Sequence, residues 1–474
     1  MTRQTTTATP APGLLRLAWP IFAEQSLHML TGVVDTLMAS RIGDDAVAGL
    51  GSAWQIVVMF LMAFNVLAIG ASIATSHHLG LGDRDGARRL ARGAVATNLW
   101  LGVAFSVLLA ASAPTLLGWA QLSPPLLRYA LPFLQWMGGT LFLESMNFAL
   151  SAVLRAHGHT REVMLVMLAQ NVVNAVLSAT FIFGLAGLPA LGVTGIALAT
   201  ALSRLLACAA LWLLANRQIG LHMRARDLVR IRRADLRRLL SFGLPSVLEN
   251  ISWYASFMII TALSARMGAR TLATQTYVMQ IASVEMLACL SIGIGNEIIV
   301  GRLVGAGRFE EARRRCLENM RLGIVVTALV ALVGALVAPV ALRAFTDDPQ
   351  IIRLGTILVA LGLLLEPGRS FNLIIINALR ASGDNRFPLA AGLVSQWAVM
   401  CLGAWFLGTW LGLGLIGVWA ALIADEWLRG LFMLQRWRRR RWVKHAFRVQ
   451  AAAAHSTNPA LDPHHERLQS RSWT

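Results

Sequence analysis

Long apolar segments recur along almost the whole chain, and they constrain the fold more than any other feature of the sequence. An α-helix that crosses a hydrocarbon core of about 30 Å needs roughly 20 such residues. Twelve segments meet this requirement: 14–41, 46–78, 90–118, 126–154, 160–184, 192–216, 240–266, 271–303, 315–343, 351–380, 385–409 and 415–436. Only 14% of the 474 residues are charged, against about 25% in soluble proteins. The pattern predicts an all-α integral membrane protein with twelve transmembrane helices.

Positive charge lies in the connections between these segments. The formal net charge is +18, and arginines cluster in 80–92, 217–238 and 302–315 and in the tail that starts at Arg436. Because positively charged connections remain in the cytoplasm, both termini are predicted to be cytoplasmic. We expect a multi-pass protein of the bacterial inner membrane whose surroundings are lipid. The same placement argues against nucleic acid as a partner.

The chain resembles itself at a constant shift of 225 residues. Pro20 falls on Pro245, Glu24 on Glu249, Gly80 on Gly305, and "LRAHGHTR" (154–161) on "LRASGDNR" (379–386). Each copy holds six segments, an even number, so both copies have the same orientation. They form two pseudo-symmetric six-helix lobes, a parallel repeat whose axis lies along the membrane normal, as in one class of secondary transporters.

The repeat and the charge pattern together divide the chain into five parts. They are a flexible N-terminal tail (1–13), an N-lobe (14–216), a basic cytoplasmic linker (217–238), a C-lobe (239–436) and a C-terminal tail (437–474). The C-terminal tail is basic at first. Its polar composition predicts disorder after residue 445.

Two carboxylates lie in the first segment, although a charge at the centre of a membrane helix costs about 2.5–3.5 kcal/mol. Glu24 and Asp35 are separated by about three helical turns, so both face the same way. Pro20 removes a backbone hydrogen bond from this helix and predicts a hinge. Arg155 and Arg204 are the nearest basic candidates in the first lobe, and both are predicted to lie near helix ends or on other faces. Asp35 is therefore expected to bind a cation.

Polar side chains in the fifth and sixth segments extend this predicted site. Asn171, Asn174 and Ser178 share one helical face, and Thr200 follows in the next segment. Carboxylate, amide and hydroxyl oxygens suit a proton or a small hard cation. The alternative is that such residues only bond helices to one another, which stays open for Asn171 and Ser178. The predicted cation-coupling set is Asp35, Glu24, Asn174, Ser178 and Thr200, with no metal cofactor and with H⁺ or Na⁺ as the coupling ion.

The second lobe carries acids of its own. Glu297, Glu366 and Glu426 each precede an arginine at near-helical spacing, which predicts ion pairs; Glu285 and Asp425 also lie in apolar segments. Glu249 has no such neighbour and is the repeat partner of Glu24, so it is predicted to contact a cationic substrate.

Aromatic and methionine side chains are dense in several segments, and Trp54, Phe60, Trp253 and Met258 are predicted to line a substrate cavity. Such faces suit lipophilic cations. The alternative is that most of these side chains form helix-packing core. His28, four residues after Glu24, is expected to be a packing or hydrated residue.

Several motifs resemble the multidrug and toxic compound extrusion (MATE) family in their order and spacing. They are "VDTLMASRIG" in the first segment, "GLGDRDGARR" and "GAGRFEEARR" after segments two and eight, "LRAHGHTR" and "LRASGDNRFP" after segments four and ten, and "GVTGIALAT" at the start of segment six. The resemblance covers residues 14–436. It implies two six-helix lobes around a central cavity and the export of organic cations and drugs in exchange for H⁺ or Na⁺.

The chain is most similar to the DinF-like branch of that family, whose members keep a cation site in the first lobe. Asp35 matches the first-span aspartate of that site, Asn174 the fifth-span asparagine and Thr200 a sixth-span threonine. Ser178 stands where those members have a second aspartate, so a site with two acids is not expected.

The second-lobe cation site of the NorM-like branch is not expected unless Glu249 substitutes, because Trp253 and Arg369 occupy its acidic positions. A flippase for lipid-linked precursors is an alternative function for a related fold, but it would favour a basic cavity. A membrane-embedded transferase would need clustered carboxylates, and the adjacent pairs Asp44-Asp45 and Asp347-Asp348 lie in external loops. We therefore expect a monomeric antiporter and not an enzyme.

Overall fold

The computed structural model describes residues 13–184, 187, 189–229 and 231–457, and this part of the chain is helical without strands. The helices are α1 (Leu14–Ser40), α2 (Asp44–Gly80), α3 (Arg84–Trp119), α4 (Pro124–Gly139), α5 (Leu141–His157), α6 (Thr160–Phe183), α7 (Gly192–Ile219), α8 (Ala225–Val229), α9 (Arg233–Arg266), α10 (Ala269–Gly305), α11 (Phe309–Arg343), α12 (Pro349–Ala381), α13 (Arg386–Trp410), α14 (Gly414–Arg438) and α15 (Val443–Thr457). Helix α13 contains two stretches of wider π-helical turns, Gln396–Cys401 and Trp405–Trp410.

All twelve predicted segments form helices. By length and composition, eight helices of the described chain can cross a membrane, and α4 and α5, bent by 48°, together form a ninth candidate. The other three predicted spans, α1, α9 and α14, are long helices that carry buried charged residues. The predicted all-α membrane fold is confirmed.

The described residues divide into two compact units, each with six of the twelve spans. The N-unit comprises 23–75 and 84–243, and the C-unit comprises 13–22, 76–83 and 244–457. Three of the four boundaries fall inside α1, α2 and α9, and the fourth falls between α2 and α3. None falls in the basic linker, part of which forms the short helix α8. Pro20 and Pro245 lie close to the boundaries within α1 and α9.

Each unit contains the start of the other repeat's first helix. In the C-unit, Leu14 of α1 packs against Gly295 of α10, with a Cβ placed on Gly295 lying 3.2 Å from the Leu14 side chain. In the N-unit, Gly70 of α2 lies directly against the backbone of Leu239 in α9. Because Leu14 and Leu239, and Gly70 and Gly295, are repeat equivalents, the two units use the same packing with exchanged helix ends.

A second close approach joins the ends of α2 and α10 within the C-unit. A Cβ on Gly80 would overlap the carbonyl oxygen of Arg302, and a Cβ on Gly305 would overlap the carbonyl oxygen of His77. These four residues form two repeat-equivalent pairs. Only glycine permits backbones to approach so closely, so this crossing explains why the repeat retains glycine at both positions.

The C-terminal tail corrects one prediction. Residues 443–457 form α15, and Ala446 and Ala453 on one of its faces are buried. The rings of Trp437 and Trp442 stack at 4.2 Å, and Phe309 packs against Phe447 at 4.6 Å. Disorder directly after residue 445 is therefore wrong, because this apolar face provides enough burial to hold a helix. The predicted tail 1–13, except for its last residue, and residues 458–474 lie outside the described part of the chain.

Candidate functional site

Glu24 is held in a buried ion pair. It lies on α1 in the N-unit, is 5% exposed, and pairs with Arg155 near the end of α5. Arg155 therefore pairs with Glu24 and not with Asp35. Pairing and hydrogen bonding offset the cost of burying a carboxylate, so Glu24 is a neutralised group in this structure.

A second buried ion pair, which the sequence did not reveal, lies in the same unit. Glu144 of α5 forms an ion pair with Arg204 of α7, with 3.0 Å between Oε2 and Nε, and both residues are almost fully buried. The other carboxylate oxygen lies 3.7 Å from Nε2 of His28, whose side chain is 40% exposed. His28 also contacts the ring of Phe148 edge-on. It therefore lies in a partly exposed, packed position.

Asp35 has no basic partner within 4 Å among the described residues. It is 8% exposed. Its Oδ2 lies 3.4 Å from the Thr200 hydroxyl, which in turn accepts a hydrogen bond of 3.1 Å from the amide of Asn174. Helices α1, α6 and α7 thus bring together three of the predicted coupling residues.

Three oxygens of this cluster are buried without a hydrogen-bond partner in the described structure: Oδ1 of Asp35, Oδ1 of Asn174 and Oγ of Ser178. An unsatisfied buried polar atom costs about 1–3 kcal/mol. A proton or small cation held among these oxygens would remove part of that cost. Asn171 differs, because it bonds Thr31 of α1 at 2.9 Å and so joins two helices.

The described part of the N-unit has more buried acids than buried arginines. Among its described residues the buried acids are Glu24, Asp35 and Glu144. Arg155 pairs with Glu24, and Arg204 pairs with Glu144. Asp35 is the remaining acid. A buried carboxylate with no ion-pair partner within 4 Å, placed among neutral oxygens, can accept one positive charge.

The C-unit repeats the first ion pair but not the Asp35 cluster. Glu249, the equivalent of Glu24, lies 2.6 Å from Arg380, the equivalent of Arg155, and 3.7 Å from Arg429. Glu249 has no arginine at near-helical spacing on its own helix, as the sequence indicated, but arginines from two other helices pair with it. Its predicted contact with substrate stays a prediction. At the position of Asp35 the C-unit has Ile260, which is buried.

Further charges in the C-unit form a connected network. Arg429 lies 2.9 Å from Asp425 and 3.2 Å from Glu426, and Arg369 lies 2.5 Å from Glu366. The ion pairs predicted for Glu426 and Glu366 are thus confirmed. Arg369 also approaches Glu426 at 3.5 Å.

The predicted cavity residues occupy different environments. In the N-unit, Trp54 and Phe60 are partly buried against the hydrophobic core, with Phe60 5.2 Å from the Phe105 ring. In the C-unit, Trp253 stacks on Phe257, and Met258 is 72% exposed. Trp54 and Phe60 thus contact the hydrophobic core, and a substrate cavity lined by these four residues stays a prediction.

The sequence did contain a signal for the two equivalent ion pairs. Glu24 and Arg155 are 131 residues apart, and so are Glu249 and Arg380. Each acid has its arginine at the same place in its own repeat, a pattern that only a comparison of the two copies reveals.

The comparisons with known proteins agree with the repeat. The MatE family model matches residues 20–180 and again 245–405, at the same 225-residue shift. The uncharacterized transporter YisQ of Bacillus subtilis (strain 168) is 36% identical over 431 residues, which cover 91% of this chain and 95% of that protein. A probable multidrug resistance protein NorM of Pseudomonas syringae pv. tomato is 30% identical and covers 83% of this chain and 87% of its own length.

A solved structure described as the outward-facing conformation of a multidrug resistance MATE family transporter has the same fold. Its TM-score is 0.83 at 20% sequence identity, over 91% of this chain and 96% of that chain. The matched family model, the relatives and the helical repeat together show that the chain belongs to the MATE family of membrane transporters.

Proposed function

We propose that this transporter exports organic cations or drug-like compounds from the cytoplasm in exchange for H⁺ or Na⁺, and that Asp35 is the carboxylate that binds the coupling ion. The observation that carries the proposal is the charge balance of the N-unit: of the three buried acids among its described residues, Asp35 alone lacks an arginine within 4 Å. The unsatisfied oxygens of Asn174 and Ser178 beside it supply further ligand atoms. Thr200 orients the carboxylate through its hydroxyl.

The exchange follows from the energetics of one buried charge. With its ion or proton bound, Asp35 is neutral and stable in an apolar helix bundle. Once the ion leaves, the bare carboxylate attracts a cation, and its burial becomes costly, which favours rearrangement of α1. The membrane potential supplies about 2.3 kcal/mol per charge per 100 mV to this cycle. Pro20, close to the unit boundary within α1, is the proposed hinge.

Other features support the substrate class and the location. Several relatives are described as probable multidrug resistance proteins, which supports a drug-like substrate. Arginine-rich connections support placement in a bacterial cytoplasmic membrane with both termini inside. Because Glu249 is already paired with Arg380, a substrate that contacts it must displace the arginine, so the first attraction for a cation falls to Asp35. We propose a monomer as the working unit.

The proposal is tested in proteoliposomes loaded with ethidium, with a proton gradient or a Na⁺ gradient imposed separately. Wild type should export the dye under one of the two gradients, and Asp35→Asn should not. Asn171→Ala is the matched control, because Asn171 lies one turn from Asn174 and bonds Thr31 instead. Gradient-driven export that is equal in wild type and Asp35→Asn would contradict the assignment.

A further inference from the structure

Glu285 is a buried carboxylate that the proposed coupling cycle does not use. It lies near the middle of α10 in the C-unit and is 5% exposed. Its Oε1 has no hydrogen-bond partner, and no basic side chain lies within 4 Å of it in the described residues. The neighbouring acid Glu366 has its own arginine, Arg369, at 2.5 Å.

Two glycines from neighbouring helices make room for this carboxylate. A Cβ on Gly334 of α11 would overlap Oε1 of Glu285, and a Cβ on Gly362 of α12 would lie 3.3 Å from Oε2. Any larger residue at Gly334 would displace the carboxylate. The carboxylate oxygens thus occupy space that side chains would otherwise fill.

The N-unit shows what this place holds when no acid is present. The repeat equivalents of Glu285, Gly334 and Gly362 are Phe60, Leu109 and Met137, and these belong to, or pack against, the N-unit core. Three large apolar side chains in one repeat therefore correspond to one carboxylate and two glycines in the other. Packing alone would favour the apolar set, so the C-unit arrangement sacrifices packing to accommodate an ionisable group.

The surroundings suit a proton better than a metal ion. The charged groups that act on Glu285 are Glu366 and Arg369 of α12, already paired with each other; α11 presents Gly334, and α10 itself contributes Cys289 one turn away. Hard metal cations need six or more oxygen ligands, and no group of three or more acidic, histidine or cysteine side chains capable of holding a metal occurs in the described residues. The ionised form has no ion-pair partner within 4 Å among the described residues, so burial in these apolar surroundings favours the neutral acid.

We propose that Glu285 is a reversible proton-binding site of the C-unit, separate from the Asp35 cluster. One proton adds to a carboxylate oxygen of Glu285 to give the neutral acid. That proton leaves again to water when the packing of α10 against α11 and α12 loosens. The site would give this transporter a second proton-carrying carboxyl, whether or not Asp35 is the coupling group.

Dicyclohexylcarbodiimide, which reacts with protonated carboxyl groups in apolar surroundings, provides the test. The full-length protein in lipid nanodiscs is treated across a series from acidic to alkaline pH, and modification at Glu285 is measured by peptide mass spectrometry. We expect strong modification in acid and a fall of at least about tenfold toward alkaline pH. Glu285→Asp should keep the pH dependence, and Glu285→Gln should lose the adduct at this position.

Two further variants separate the possible outcomes. Gly362→Ala, which only tightens the contact with Oε2, should shift the midpoint of modification. Asp35→Asn should leave the titration of Glu285 unchanged, so that failure of the coupling proposal and failure of this one are distinguishable. Folded protein with no adduct at Glu285 at any pH, or with an adduct whose yield does not depend on pH, would overturn the proposal.

Discussion

The two units place the same ion pair at equivalent positions and then diverge around it. Glu24 with Arg155 in the N-unit corresponds to Glu249 with Arg380 in the C-unit. At the position of Asp35, however, the C-unit has the apolar Ile260. The ion pair that both repeats share is best explained as a structural element that stabilises each unit. Asp35, which only one repeat has, is the better candidate for a functional residue.

The second arginine of each unit shows the same divergence. Arg204 pairs with the single acid Glu144, whereas its equivalent Arg429 contacts Glu249, Asp425 and Glu426. The C-unit thus concentrates paired charge in a network. The N-unit keeps its pairs separate and, in its described part, leaves the buried carboxylate of Asp35 without an ion pair.

The largest effect is expected from removing the second arginine. Breaking a buried pair by deleting one partner costs about 3–5 kcal/mol. Arg204→Ala should lose about that much, because it leaves Glu144 with only His28 nearby, and Arg429→Ala should lose more, because it leaves three acids with fewer partners. Thermal unfolding in detergent measures both. Equal losses would show that the C-unit charges do not act as a network.

Removing the acid of the shared ion pair should destabilise the two units by different amounts, although the pair lies at equivalent positions in both. Glu24→Gln leaves Arg155 without an acid, and we expect a loss of about 3–5 kcal/mol. Glu249→Gln should cost less, since Arg380 keeps its bond to Asn377 and Arg429 keeps two acids. Parallel unfolding curves of the two variants make the comparison, and a larger loss for Glu249→Gln would be inconsistent with it.

Substitutions of the two glycines at the crossing of α2 and α10 should destabilise the protein equally. Gly80→Ala and Gly305→Ala each place a methyl group on backbone that cannot yield, for which overpacking costs about 1–3 kcal/mol. Gly51→Ala, on the same helix as Gly80 but with open space around its Cβ, is the control and should not destabilise. If only one of the two substitutions at the crossing lowers the melting temperature, the two halves of the contact are not equivalent.

The smallest effect is expected at two equivalent helix starts. Asp348 accepts a hydrogen bond from the backbone of Gln350 at the start of α12, whereas Ser123 caps nothing at the start of α4. That backbone N–H, and then Arg270, lower the pKa of Asp348. A lowered pKa gives stability that is present above the unfolded value of about 4 and is lost as the pH falls through the folded value.

Asp348→Ala should therefore lower the melting temperature slightly at neutral pH, and the difference from wild type should vanish in acid. Ser123→Ala should change it at neither pH. A difference for Asp348→Ala that persists at low pH would point to a role other than this cap.

The fold was predictable because its signals are local. Each span has its own apolar run, and the repeat appears at one constant shift, so twelve helices and two related halves follow from the sequence. The exchange of helix ends was not predictable, because Gly70 meets Leu239 and Gly295 meets Leu14 only through tertiary packing. The helix 443–457 was missed because its apolar face consists largely of alanines in a polar sequence.

The site was predictable only in part for a related reason. Asp35, Asn174 and Thr200 could be grouped by helical faces and by family resemblance. Pairing across helices, such as Arg155 with Glu24 and Arg204 with Glu144, leaves no local pattern. Glu144 itself was overlooked for the same reason.

The central claim is that Asp35, the one buried acid without an ion pair among the described residues of the N-unit, binds an ion that leaves when substrate binds. Cation release on addition of ethidium to purified protein in weak buffer tests it most directly, with an indicator dye for H⁺ and an ion-selective electrode for Na⁺. We expect wild type to release one of the two cations, Asn171→Ala to release the same amount, and Asp35→Asn to release none. Undiminished release by Asp35→Asn would contradict the account.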